Sequence, residues 1–132
     1  MSTFHSLEEA RAFFVNDRFA TDNFMTLEEL TEDGAVCAME INSRHMNAEG
    51  HLMGGAILAL ADFTFAAASN NAHRPSVAQQ VSLNFLNASR GTRLTSTATC
   101  VKDGRTSCVY LVNIKDDLGK HIAQATFTGF KL

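Results

Sequence analysis

The spacing of apolar and polar positions changes several times along this chain, and each change predicts an element. Ser6 with Glu9 forms a capping-box pattern, and Leu7, Ala10, Phe13 and Phe14 follow at helical spacing. A short N-terminal helix with an apolar docking face is predicted, ending near Asn16-Asp17. Phe19 and Phe24 sit in a connection with no assignable period. Residues 25–42 read as a hairpin. Met25–Leu30 is a poor strand by propensity, but Asp33-Gly34 is a strong turn signal and Ala35–Ile41 supplies a second strand behind it.

A polar loop at 43–55 leads into the longest apolar segment. From Ala56 to Ala68 nearly every residue is Ala, Ile, Leu or Phe, which predicts a helix at about 54–70, buried on most sides. Asn70-Asn71 and His73-Arg74-Pro75 end it, because proline disfavours helical geometry in its predecessor. Beyond Pro75 the chain reads as strand. Val81, Leu83 and Phe85 alternate with Ser82 and Asn84, which predicts one core face and one polar face. Turns at Ser89-Arg90-Gly91, Lys102-Asp103-Gly104-Arg105 and Asp116-Asp117-Leu118-Gly119 divide the rest into four strands, a spacing that predicts a long antiparallel meander. The sum is an α+β layout. One long helix wrapped by a curved antiparallel sheet accounts for its near lack of a polar face.

Size and charge narrow the classes. A chain of 132 residues, 45% hydrophobic and 19% charged, is one globular domain spanning 1–132, with 1–24 as N-terminal helix and connection and 25–132 as core. A net charge of −3 without a basic run argues against nucleic acid, although a local basic patch for a phosphorylated small molecule stays open. Cys37, Cys100 and Cys108 are odd in number and lack CxxC spacing, so free thiols in a reducing compartment are expected. Residues 1–9 carry no leader pattern, and the Ala56–Ala68 run is shorter than the ~20 residues of a bilayer span. A soluble, cytoplasmic protein without a membrane partner is the expectation. The histidines at 5, 45, 51, 73 and 121 lack metal-ligand spacing, so no metal and no cofactor is expected, and no Gly-x-Ser-x-Gly elbow suggests an α/β-hydrolase.

Asp62 is the conspicuous residue. An ionised carboxylate in an apolar helix is costly to bury unless paired, so it either lies on a narrow face reaching solvent or a subunit interface, or belongs to a site. Gly54-Gly55 favour the site. Glycines at a helix start admit another molecule to free amides that attract negative charge and can stabilise an oxyanion. Asp62 is then a candidate base or nucleophile, and Asn47 either orients water or substrate or simply orders its loop.

The pattern Asn47-x-x-Gly50-x-x-Met53-Gly54-Gly55-(x)6-Asp62 resembles the signature of hotdog-fold acyl-CoA thioesterases, in the PaaI-like and 4-hydroxybenzoyl-CoA thioesterase superfamily. Val81–Leu86, the Lys102–Thr106 turn and Asp117–Ala123 resemble the same family, so the likeness spans residues 25–130. It implies chains paired edge to edge, dimers associating into homotetramers, and active sites at the dimer interface. It also implies that the Gly54 amide polarises the thioester carbonyl of an acyl-CoA. Asp62 of the partner attacks the carbonyl or activates water, and Asn47 holds that water or the substrate. Gly55 and Met53 border the substrate, while Lys102, Gly104, Arg105 and Thr106 match the turn near the CoA nucleotide; His73 and Arg74 are weaker candidates for that task. Phe63, Phe65 and residues near Met53 would wall an apolar acyl group. Two positions depart from the family pattern. Met53 stands where it usually has His, and cannot donate an imidazole's hydrogen bond; His51 lies two residues away. Ala78 stands where a Ser or Thr is frequent, with Gln79 next. The alternatives are a non-catalytic acyl-CoA or acyl-carrier binding protein, and a hotdog dehydratase.

Overall fold

A computed structural model describes residues 2–132, so Met1 of the stretch read for a leader lies outside the described residues. Helix α1 (Leu7–Phe14) begins where the capping pattern predicts, with Ser6 Oγ accepting the Glu9 amide at 3.1 Å. Ala10 and Phe14 are buried, and Phe14 meets Phe63 of the central helix edge-on at 6.2 Å. Phe13 stays exposed, with the Arg74 guanidinium 4.9 Å from its ring centroid. The connection without a period folds as α2 (Arg18–Asp22), a helix of 5 residues and so too short to display one.

The hairpin forms as β1 (Met25–Thr31) and β2 (Gly34–Glu40), with a bulge between Leu27 and Glu29. Burial of Met25 and Leu27 overrides the poor strand propensity of β1. In the following loop Ser43–His45 makes a single 3-10 turn with His45 buried. The central helix α3 (Gly54–Ala72) runs two residues past the expected end. The sheet covers it on most sides, burying Leu60, Ala61, Thr64, Phe65, Ala67 and Ala68. One strip stays uncovered: Gly55, Leu58, Ala59, Asp62 and Ala66, spaced three or four apart. Asp62 is therefore not entombed. It is the one charge of the helix and it sits on the one open face.

Strands β3 (Ser76–Phe85), β4 (Arg93–Asp103), β5 (Ser107–Asp116) and β6 (His121–Lys131) follow, in the sheet order β1-β2-β4-β5-β6-β3. The simple meander is thus broken. β4 pairs with β2 and β3 lies at the far edge against β6. Turn spacing encodes strand lengths, not neighbours; β4 takes the inner position because Leu94, Ser96 and Ala98 are buried there. A second expectation also fails. Val81 is 37% and Phe85 58% exposed, so the apolar face of β3 is not core. Stacked rings of Phe65 and Phe127, 4.8 Å apart, fill the interior, and β3 is left bordering the open strip of α3.

Candidate active site

Two cavities open along the α3–β3 cleft. The first, about 500 Å³, lies at the helix start between Gly54, Ile57, Phe85 and the loop from Leu86 to Gly91, with Gly50–Leu52 opposite. Met53 is the N-cap and has no side-chain capping bond; among the described residues the Gly54 and Gly55 amides meet no acceptor. Both glycines lie close against neighbouring side chains. A Cβ on Gly54 would stand 2.9 Å from the Phe85 ring, and one on Gly55 would stand 3.1 Å from the Met53 methyl. The Met53 methyl therefore lies beside the second glycine, and a thioether has no hydrogen bond to donate there.

The loop before α3 is shaped by two side chains. Asn47 Oδ1 accepts the amides of Glu49 and His51, both at 3.0 Å, so its oxygen is spent on the turn; its Nδ2 meets no acceptor among the described residues. His45 is the residue sequence reasoning passed over. Its Nδ1 accepts the Asn42 amide at 3.1 Å, which leaves Nε2 protonated to donate to the Asn23 carbonyl at 2.8 Å. Its own carbonyl accepts the Met53 amide at 2.8 Å, so a buried imidazole holds the start of α3 in place. His51 lines the first cavity beside Gly54.

The second cavity, about 470 Å³, holds Asp62 with Gly55, Leu58 and Ala59 on one wall and Ala78, Gln79, Gln80 and Val81 on the other. A bulge between Ala78 and Gln80 lets both Ala78 and Val81 face the helix although they are three residues apart. The Asp62 side chain reaches solvent, yet atoms packed about it desolvate the carboxyl and the Asp17 charge adds repulsion; both push it above its ordinary value. The buried thiols are poor nucleophiles: burial pushes Cys37 up to about 12 and raises Cys108 too.

Gly54 and Asp62 lie eight residues apart on one helix, or about 12 Å along its axis. They open onto the same cleft but not onto the same cavity. The Lys102–Thr106 turn lies further off. Ser107 pairs with Phe130 and Phe130 with Val77, so the turn adjoins the start of β3, about 26 Å of strand from Phe85 and Gly54. Lys131 ties that turn down, pairing with Asp103 and donating to the Gly104 carbonyl at 2.7 Å. Lys102 and Arg105 are exposed and without an ion-pair partner among the described residues. His73 bonds the Leu132 carbonyl and Arg74 lies over Phe13, so both are engaged elsewhere. Phe63 and Phe65 are buried and line neither cavity of the cleft.

The loop from Leu86 to Gly91 reads in the sequence only as a turn at Ser89-Arg90-Gly91, not as the wall of a cavity. It is held by two acids at the β5–β6 turn. Asp117 accepts the Thr92 hydroxyl and amide, both at 2.9 Å, and Asp116 accepts Ser89 Oγ at 2.9 Å. The Thr92 bonds hold Asp117 below its ordinary carboxylate value; for Asp116, bonds from Lys120, Ser89 and Leu118 outweigh a desolvation that acts the other way. Arg90 rides on this loop between two cavity-lining residues, Ser89 and Gly91. Among the described residues no three His, Cys, Asp or Glu side chains gather in a metal-binding group.

A long helix in a curved antiparallel sheet, glycines at its start and one acid on its open face define a hotdog-fold thioester hydrolase. The Thioesterase superfamily pattern matches residues 49–123, and the chain belongs to that family. The PaaI protein of the E. coli phenylacetic acid degradation operon superposes with a TM-score of 0.89 at 26% identity, covering 95% of this chain and 91% of its own. A mutant thioesterase from Pseudomonas aeruginosa gives 0.88 at 25% identity over 98% and 96% of the two chains. A hypothetical thioesterase from Streptococcus pneumoniae, crystallised with coenzyme A, gives 0.81 at 28% identity over 89% and 94%. No helix of this chain is long and apolar enough to cross a membrane among the described residues.

Proposed function

We propose that this thioesterase hydrolyses acyl-CoA, at sites completed when two chains pair antiparallel along β3. The observation that carries this reading is the separation of Gly54 from Asp62 along one helix, both opening onto a cleft whose other wall is β3, an edge strand with no strand on its far side among the described residues. A second copy related by a two-fold axis at β3 runs its cleft in the opposite direction, so Asp62 of one chain approaches the helix start of the other. The thioester oxygen then accepts the Gly54 amide at the positive end of α3, and the carbonyl carbon faces the partner's Asp62. Acting as base, Asp62 takes a proton from water; the hydroxide adds to the carbonyl, the C–S bond breaks, and the thiolate of CoA leaves and regains the proton. Acting as nucleophile, it forms an anhydride that water opens to the same products. In this reading Asn47 holds substrate by donation from Nδ2, which meets no acceptor among the described residues, since its Oδ1 already accepts two loop amides.

CoA as the leaving group is supported by the coenzyme bound in the Streptococcus pneumoniae relative and by exposed cations without an ion-pair partner among the described residues, Arg90 in the loop beside the first cavity and Lys102 with Arg105 in the turn that adjoins the start of β3. Paired dimers associating further into a tetramer belong to the same reading. The test is release of free thiol from acetyl-, octanoyl- and benzoyl-CoA by the protein and by Asp62→Ala. A loss of about 10²–10⁴-fold in kcat for the variant is expected. Equal turnover by the two proteins removes Asp62 from the mechanism, and no turnover of any thioester by the unaltered chain removes the substrate class.

A further inference from the structure

A third cavity, about 530 Å³, lies beneath the α1–α2 hairpin and is lined by Phe63, the neighbour of Asp62 on α3. Phe14, Val15, Met25, Leu27 and Phe63 give it an apolar floor. Its rim carries Arg11, Glu28, Glu40 and Arg93, but these charges consume one another. Arg11 donates Nε to the Leu27 carbonyl at 2.6 Å and Nη2 to Glu28 at 3.2 Å, while Arg93 pairs with both Glu28 and Glu40. No cation or anion is left seeking a counter-ion, so the group that fits is neutral and apolar. The volume is within the ~300–1,000 Å³ of small-ligand pockets.

Position decides what that group is. Phe63 follows Asp62 directly on α3, about 100° round the helix, so the acid and the cavity share one turn. α2 packs on α3, and Asp17, at the joint of the two short helices, is near enough for its charge to be felt at Asp62. A thioester carbonyl held at Asp62 thus has the α3–β3 cleft beside it and an apolar cavity one residue further round the helix, at Phe63.

We propose that the cavity under the α1–α2 hairpin receives the apolar acyl group, so that Val15, Phe14 and Phe63 set the size of acyl chain accepted. This rests on Asp62 acting at the thioester. Val15 is 55% exposed and Thr26, on the opposite wall, is exposed, so each can be enlarged without disturbing the core. The test compares octanoyl with acetyl chains in the unaltered protein, Val15→Trp and Thr26→Trp. Hydrolysis is read as kcat/KM on the two CoA esters, and binding by calorimetry with their non-hydrolysable thioether analogues. The expected result is an octanoyl preference of tenfold or more that both fillers abolish in both readouts. An octanoyl preference that survives both fillers, or no preference in the unaltered protein, overturns the assignment while leaving hydrolysis at Asp62 in place. A preference seen only in binding, with no ester hydrolysed, supports the cavity and overturns the catalytic reading instead.

Discussion

The two edges of the sheet are treated in opposite ways. β1 is 7 residues long, bulged, and covered from within the chain: α1 and α2 pack on it, Arg11 Nε donates to its Leu27 carbonyl, and Asn71 Nδ2 of α3 donates to its Thr31 carbonyl at 3.1 Å. β3 is 10 residues long, carries exposed Val77, Val81 and Phe85, and has no strand beyond it among the described residues. A long, apolar, unpaired edge is a template for another strand, and chains that stay single blunt such edges as β1 is blunted. The contrast teaches where the chain is finished and where it is not. The sealed edge faces the proposed acyl cavity, and the open one faces the acid and the helix start.

The largest effect should come from charging the open edge. Val81→Asp is expected to yield monomers by sedimentation and to reduce thioester hydrolysis by at least ~10²-fold, the scale of losing a positioned acid or base, although Asp62 and Gly54 are untouched. A charge reversal on the sealed edge, Glu29→Lys, is expected to leave the sedimentation coefficient unchanged. Monomers that retain full activity would break the comparison.

Next, mixing separates composite sites from self-contained ones. Gly54→Pro, which removes the amide at a first helical position where proline is tolerated, and Asp62→Ala should each be inactive alone. Refolded together, they should recover about a quarter of unaltered activity if each site takes one residue from each chain of a two-fold pair. No recovery would place both residues of a site on one chain.

The smallest effect concerns stability. Because its pKa is raised, the protonated form of Asp62 is the better tolerated one in the fold. Its contribution is fully present below the ordinary value of 3.8 and is lost as pH rises through the raised value. Asp62→Asn should therefore melt slightly higher than the unaltered chain at pH 7 and match it at pH 3, while hydrolysis by the unaltered chain falls as acid protonates Asp62. A lower melting temperature for Asp62→Asn at pH 7 would show that the carboxylate is paired in the fold, not tolerated at a cost.

Much of this was legible along the chain. Ser6 and Glu9, Asp33-Gly34, the apolar run to Ala68 and the alternation after Pro75 are local signals, since capping, turn chemistry and side-chain periodicity act between residues a few positions apart. Asn47 and Gly54 with Gly55 were legible for the same reason, as a turn-former and as the start of a helix. His45 and the loop from Leu86 to Gly91 as a cavity wall were not, because their partners lie far off in sequence: Asn23 for the imidazole, Asp116 and Asp117 for the loop. Alternation in β3 announces two faces and says nothing of what covers either.

The sequence by itself determined α1, the hairpin, α3 and the four later strands, though not the short helix α2, and that an acid stands on the long helix beyond two glycines. Only the tertiary structure decided that β3 lies at the far edge instead of beside β4, that Asp62 falls on the uncovered strip, and that Gly54 and Asp62 open onto separate cavities. These are consequences of which surfaces remain after the sheet has curved around α3. That is settled by packing the whole chain at once, and no single stretch of it carries the answer.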